Sequence, residues 1–394
     1  MKAAIIVRRL NVKGGTQRQA LFLARELLKR GHQVTLYTFL ADSGRSYAGL
    51  LNGLPVVSLG NYPVSRNAVF DFWNEFRAAR YLAQKITRDT DILNPHDQIS
   101  YRVAYYFKKY IRNIPSVWMM NDIPTKTWGY WREQECGAGY PVSFLRRWMR
   151  RLFDDYDVRT AIRAQDAIAV LDNRDRERVR HFFGKDASVV RSGLDHAEFP
   201  YRPRNGLDPR RPIRILAVGI LFPHRRFEDL LIAVRLLKDR GANVSGTIAG
   251  DYNPGHPYAK KLRELAVSQG IRERISFAGR VSDAELLRLY QENDIFVFPS
   301  HLQSWGLAVF EAMSCGLPVV VSETAGASEV LEHKKTALII APKSPEAIAA
   351  AITALTEDPR LYRRLSENGR MFVESRLSWP RYADQMLNIF AAFK

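Results

Sequence analysis

Short β-branched and aromatic runs alternate with stretches of helical period along nearly the whole chain, and that alternation constrains the fold more than any other feature. A strand at Ile5–Val7, a helix over Thr16–Arg30 and a strand at Val34–Phe39 open the series. Strand, helix, strand in that order is a βαβ unit, whose two strands run parallel with the helix crossing over between them. Further strands fit Ile92–Asn94, Ser116–Met119, Ala167–Leu171 and Ser188–Arg191, with helical segments between most of them. One doubly wound domain is expected from this half.

The run FPYRPRNGLDPRRP, Phe199 to Pro212, holds four prolines, four arginines and one glycine and offers no apolar period to bury, so it reads as a linker. Beyond it the alternation restarts. Strands are expected at Ile213–Val218, Val244–Ala249, Ile275–Ala278, Ile295–Pro299 and Val319–Ser322, with helices at Phe227–Arg240, Tyr258–Gln269, Asp283–Gln291 and Leu307–Cys315. Helical segments run from Pro345 to the last residue. The expected fold class is therefore α/β, with an N-terminal Rossmann-like domain at residues 1–199, a linker at 200–212 and a second Rossmann-like domain at 213–375. A final helix at 376–394 is free to pack back on the first domain. Sheets of this kind bind ligands at the carboxyl ends of their strands, so the chemistry is sought in loops that follow strands, on a central cleft that the two domains face.

With 46% apolar and 25% charged residues in 394, the chain has core enough for two domains. Its formal net charge is +18, and +14 of that lies in residues 1–210, with 35 basic against 21 acidic side chains. Two cysteines, Cys136 and Cys315, too far apart for a zinc or redox pair, fit a reducing compartment and a cytoplasmic location. The first apolar run is short and followed by Arg8 and Arg9, which is a strand and not a signal peptide. No run approaches the ~18 apolar residues of a membrane span.

Several post-strand loops carry chemistry. Gly14 and Gly15 precede the first helix, where small residues and free amides favour an anion such as phosphate, although the same pair also makes a plain tight turn. In LNPHDQ, His96 and Asp97 follow a strand, where a histidine bonds a sugar hydroxyl, moves a proton near neutral pH, or merely caps the next helix. Asn121 and Asp122 hold the equivalent place one strand further on. In GILFPHRRF, Arg225 and Arg226 stand at a helix start, an unfavourable place for cations that a bound diphosphate would balance. The segment Phe298–Glu329 places Gly306 before a helix, so that amides at Trp305, Gly306 and Leu307 suit a phosphate. Glu311, a turn into that helix, suits the two hydroxyls of a ribose.

Taken together, these runs resemble the retaining glycosyltransferases of the GT-B fold, most closely glycosyltransferase family 4. The resemblance rests on the Gly14–Gly15 loop with LLKRGHQVTLYT, on SGLDHAEF, on FAGRVSDAELLRLYQENDIFVFPS, and on GLAVFEAMSCGLPVVVSETAGASEVL. It implies a sugar transferred from a nucleotide-sugar donor, without cofactor or metal, to a glycan or lipid-linked acceptor in cell-envelope or surface polysaccharide synthesis. Of the family's glutamate pair spaced E-x7-E, the second falls on Glu311 and the first on Gln303, beside Ser304. The family's arginine after the second-domain glycine is Ile220 here, and its lysine is Arg225; Arg226 is expected to supply the missing cation. The resemblance also puts Glu329 on the donor and His96, with Asp97, Asn121 and Asp122, on the acceptor side. Arg225, Gln303 and His96 are the expected catalytic groups.

Asp155-Tyr156-Asp157 resembles the metal motif of other transferases but reads as a charged helix face, and no metal site is expected. The helix FLRRWMRRLF has the pattern of an anionic-membrane contact through Leu145, Arg146, Arg147, Trp148, Arg150 and Arg151, and equally that of a core-packed helix with a solvated basic side; the resemblance, to enzymes many of which glycosylate lipid-linked acceptors, implies the membrane. A GT-B protein that binds nucleotide sugar without transferring it is the alternative that Gln303 and Ile220 motivate. A basic nucleic-acid or surface-binding protein is a third reading, without any recognised nucleic-acid motif to support it.

Overall fold

A computed structural model describes residues 1–60, 68–135, 144–204, 206–208, 210–251 and 257–393, the side chains of 68–72, 126, 127, 130, 133, 134 and 146 excepted. Cys136 and the side chain of Arg146 thus lie outside the described residues. The chain divides into two compact units, Met1–Gly129 with Pro141–Gly193 and Ser378–Lys394, and Tyr130–Tyr140 with Leu194–Leu377.

The first unit is built on β1 (Lys2–Leu10), α1 (Gly15–Lys29), β2 (Gln33–Ala41), β3 (Val56–Ser58), α2 (Ala68–Lys85), β4 (Ile92–Pro95), α3 (Asp97–Tyr110), β5 (Val117–Met119), α4 (Phe144–Asp157), β6 (Ala167–Val170) and β7 (Ser188–Val189). Its strands pair in parallel in the orders β3-β2-β1-β4 and β5-β6-β7. Bridges from Leu93 to Ser116 and from His96 to Met119 join the two sets into one continuous sheet. β1 is apolar on both faces because helices cover both, and Ala3 to Val7 are buried without interruption. The order reverses between β1 and β4, so the loops after these strands, which carry Gly14 and His96, flank the switch point where such sheets bind ligands.

In the second unit, β8 (Ile213–Val218), α5 (Phe227–Asp239), β9 (Val244–Ala249), β10 (Ile275–Gly279), α6 (Asp283–Glu292), β11 (Ile295–Phe298), α7 (Leu307–Ser314), β12 (Val319–Ser322), β13 (Leu338–Ile340) and α8 (Pro359–Arg376) form the frame. The parallel strand order is β10-β9-β8-β11-β12-β13. Its switch point lies between β8 and β11. The loops leaving β8 and β9 come so close that a Cβ on Gly250 would lie 1.9 Å from the carbonyl oxygen of Gly219, which admits only glycine.

The proline- and arginine-rich run is not a loose tether. Arg204 donates to the carbonyls of Tyr290, Gln291 and Asn293 at the C-terminal end of α6, where a cation also meets the negative end of the helix dipole. Phe199 already belongs to the second unit, because its carbonyl accepts from the Ser314 hydroxyl at 3.0 Å and from Arg370 at 3.0 Å. The division between units therefore falls at Gly193, ahead of the run. The last helix, α9 (Trp379–Ala391), belongs to the first unit: Trp379 stacks on Phe22 of α1 at 4.4 Å, and Asp384 holds Arg30 at 2.8 Å. Gly193 lies against the start of that helix, where a Cβ would meet the Trp379 amide at 2.5 Å.

Candidate functional site

In the second unit the expected donor residues gather at the carboxyl ends of β8, β11 and β12. Gly219, with φ of 159°, lets the side chain of Arg225 fold across the strand end: a Cβ there would lie 3.3 Å from Arg225 Nε. The same guanidinium sits 5.7 Å from the centre of the Phe298 ring at the end of β11, so Arg225 spans the switch point. One loop further on, Gly306 caps α7 with φ of 84°, and a Cβ there would strike the Phe298 ring at 2.9 Å. Glycine is thus required twice over. It sets the start of α7 at the same strand ends, where the Leu307 and Ala308 amides precede the first bond of the helix, from the Val309 amide to the Gly306 carbonyl at 3.0 Å.

Glu311 is buried within α7, and its Oε2 accepts from the Tyr290 hydroxyl at 2.9 Å. That hydroxyl fixes one carboxylate oxygen and so orients the group. Gln303 occupies the loop before α7; its carbonyl accepts from the Gly326 amide at 2.9 Å, tying it to the segment that carries Glu329, and its side chain bonds to His224. Ser304 and Trp305 are buried, Trp305 against Phe310 at 4.7 Å. Glu329 is half-buried in the short helix after β12.

Two histidines that the sequence did not single out complete this cluster. His224 is buried beside Arg225, and burial, reinforced by that neighbouring charge, pushes its pKa well below the ordinary histidine value. The His224 carbonyl accepts from the His301 amide at 2.7 Å, and His301 Nδ1 lies 3.2 Å from the Thr324 hydroxyl. His224 stood in the quoted run GILFPHRRF, but its pairing with Gln303 depends on two loops meeting and has no signature in either run.

Arg226 corrects an expectation. Its guanidinium is held by Asp229, at 2.6 Å and 2.9 Å, and by Glu228 at 3.1 Å, so its charge is already balanced and faces its own helix start. It does not replace the cation missing at Ile220, which is half exposed.

In the first unit Gly14 caps α1 in an extended conformation, and its carbonyl accepts from the Arg18 amide. Gly15 is the first residue of that helix. His96 directly follows β4 and is fully buried. Burial alone pushes its pKa down to about 3, which corrects the reading of His96 as a proton carrier near neutral pH: the ring is neutral there. Asp97 adopts φ of 69°, and its carboxylate accepts from the Arg8 amide at 2.7 Å and the Ser100 hydroxyl at 2.8 Å. Burial lifts its pKa to about 6. Those bonds tie Asp97 both to the end of β1 and to its own helix start. Asn121 is half-buried with its Nδ2 unpartnered among the described residues, and Asp122 Oδ1 accepts from the Ile123 amide.

Asp155-Tyr156-Asp157 is corrected too. Asp157 is buried and binds Arg102 through both carboxylate oxygens, with the Tyr101 hydroxyl donating at 3.0 Å, while Glu75 takes Arg102 Nη1 at 2.8 Å. Only Asp155 and Tyr156 lie on an exposed face.

The suppressed pKa of His96 makes a stability prediction. Below the unfolded value near 6.5 the unfolded chain takes up a proton that the folded ring refuses, so folding stability falls as pH drops from about 6.5 toward about 3. A His96→Gln variant should lose less stability than the parent between pH 7 and pH 4.5 in urea titrations. An equal loss in the two proteins would contradict the burial argument.

Comparison with known proteins covers both units. Residues 13–198 match the family model described as Glycosyltransferase Family 4, and residues 201–372 that described as Glycosyl transferases group 1. An uncharacterized glycosyltransferase, MJ1607, of Methanocaldococcus jannaschii is 24% identical over 393 residues, covering 96% of this chain and 94% of that protein. Glycogen synthase of Mycobacterium tuberculosis is 27% identical over 239 residues, 59% of this chain and only 56% of that enzyme, so the chain spans about half of that relative. Among solved structures, Anabaena Alr3699/HepE in complex with UDP and glucose superposes with a TM-score of 0.78 over 99% of each chain at 18% identity. WaaG, a glycosyltransferase involved in lipopolysaccharide biosynthesis, gives 0.71 over 98% of this chain and 99% of that one at 16% identity. With one model matching each half and the fold shared end to end, the chain belongs to the family 4 glycosyltransferases of the GT-B fold.

Proposed function

We propose that this protein is a retaining hexosyltransferase that moves a sugar from a uridine or guanosine diphosphate donor to a glycan or lipid-linked acceptor in surface polysaccharide synthesis. The observation that carries the reading is the grouping of Arg225, the opening amides of α7 and the Tyr290-held Glu311 at one switch point. Glu311 accepts from the ribose hydroxyls. The diphosphate lies between the α7 amides and Arg225, and as the glycosidic bond breaks, the growing charge on the leaving phosphate is met by these fixed donors. No metal is required in this scheme, because amides and a guanidinium do the neutralising. Gln303 and His224 form an uncharged pair on the sugar side. Support for the donor class comes from the relatives: the HepE structure holds UDP and glucose, and a Mycobacterium tuberculosis relative at 25% identity over 56% of this chain is a GDP-mannose-dependent mannosyltransferase.

A binding protein without transfer is the second reading, favoured by Gln303 and Ile220 standing where the family has charged groups. Thermal unfolding with UDP, GDP and their sugars tests the donor site: at ~100 times the dissociation constant a ligand adds about 2.7 kcal/mol to the folded state. Stabilisation unchanged by chelator is expected. Failure of every nucleotide diphosphate to stabilise the protein, or a strict need for added divalent metal, would overturn the reading.

A peripheral position on the inner membrane face belongs to the same proposal. On α4, Phe144, Leu145, Trp148 and Leu152 are exposed, Phe144 by 84%, in a helix that also carries Arg147, Arg150 and Arg151. No helix among the described residues is long and apolar enough to cross a membrane. Basic residues near an anionic surface contribute ~1 kcal/mol each, added to apolar burial. Changing Arg146, Arg147, Arg150 and Arg151 to glutamine should release the protein from anionic vesicles in flotation assays while nucleotide binding persists. Equal flotation of variant and parent would contradict the contact.

A further inference from the structure

Directly after β4 stands a histidine whose two ring nitrogens are treated differently. Asn94 Nδ2 donates to the Val117 carbonyl at 2.6 Å, which turns its Oδ1 toward His96 Nε2 at 2.9 Å. Because that oxygen only accepts, Nε2 must carry the ring proton, and in a neutral imidazole Nδ1 is then a bare acceptor. His96 Nδ1 is buried and has no partner among the described residues. Buried acceptors are seldom left so, and one at the switch point of a doubly wound sheet is placed for a ligand.

We propose that Asn94 is a positioning residue that locks His96 in the Nε2–H tautomer and thereby keeps Nδ1 as a permanent acceptor for a hydroxyl of a substrate sugar. The inference rests on the glycosyltransferase reading for the identity of that hydroxyl, but not for the tautomer. Charged groups on the packed elements do not reach the ring. Asp97 at the start of α3 is satisfied by the Arg8 amide and Ser100, Asp122 after β5 is bonded to the Ile123 amide, and desolvation is the one influence on the His96 proton. His96 thus works as a fixed acceptor across the physiological range, with no proton to gain or lose.

Ring-nitrogen NMR of the full chain labelled with 15N-histidine reads this directly, the His96 signals being those lost in His96→Gln. The expected spectrum has Nδ1 bare and Nε2 protonated, unchanged from pH 5 to 8, and a nucleotide sugar or acceptor that turns over should shift Nδ1. Asn94→Leu should mix the tautomers and lower kcat/KM on the order of tenfold, the worth of one hydrogen bond. Asn94→Asp, which sets a carboxylate against Nε2, should bring His96 titration and a matching bend in the kcat/KM profile into the range pH 5 to 8. A protonated Nδ1 in the parent, or Asn94→Leu with the parent's tautomer and kcat/KM, would overturn the proposal. Should no nucleotide sugar bind, the donor reading fails while the resting tautomer still decides the role of Asn94, even where a variant does not fold.

Discussion

Replacing Arg225 with alanine is expected to lower turnover about 10²- to 10³-fold, with a smaller loss of nucleotide affinity, because its charge counts most when the leaving diphosphate is forming. The geometry behind this is specific: the guanidinium lies over Gly219 and the Phe298 ring, and the neighbouring Arg226 is bound by Asp229 and Glu228 and cannot stand in for it. Glu311→Ala should act the other way, weakening free nucleotide roughly ten- to a hundredfold, since a hydrogen bond to a charged group is worth ~1.5 to 3 kcal/mol. Gln303→Ala should leave free nucleotide binding near the parent's and reduce affinity for the nucleotide sugar. Calorimetric titration beside steady-state kinetics separates the three. A Glu311→Ala protein that binds nucleotide like the parent would place the ribose elsewhere.

Arg102→Leu should cost the first unit about 3 to 5 kcal/mol, the penalty for stranding buried charges when one partner of a buried pair is removed. Glu75 and Asp157 would both lose their shared cation, and the cation–π contact of Arg102 with Phe76, at 4.3 Å, would go as well. The loss should appear in the denaturation midpoint of the first unit while nucleotide stabilises the second unit as before. A shift corresponding to less than about 1 kcal/mol would mean that the network contributes little.

Much of this architecture is legible in local pattern. β1, β2, β4 and β8 to β12 fall where apolar or β-branched runs stand: β11 and β12, buried throughout, have to be apolar on both faces, while β9 and β10 alternate. β3 and β13, three residues each, were not foreseen, although the equally short β5 and the shorter β7 were. The linker run shows the other limit. Proline and arginine spoil any helix or strand period, yet Arg204 fastens the segment to the end of α6 by side-chain bonds that no periodicity records. In the proposed donor site, Gly306, Arg225 and Glu311 stand out in the sequence because each sits at a fixed offset from a strand or helix end. Tyr290 on Glu311, Gln303 with His224, and Asn94 on His96 do not, since each is a contact between side chains whose orientation only the folded chain sets. Asp157 misled for the same reason: its helix shows charge, and only α3 packed against it makes that charge buried.

The most direct test of the central claim needs no knowledge of the acceptor. Incubated with α-linked UDP- and GDP-sugars in the presence of chelator, the protein should release nucleoside diphosphate by slow transfer to water or to an added glycan. Proton NMR at the earliest times should show the sugar product in the α configuration of the donor. A β product would contradict the retaining mechanism, and no consumption of any donor in the panel would contradict transfer itself.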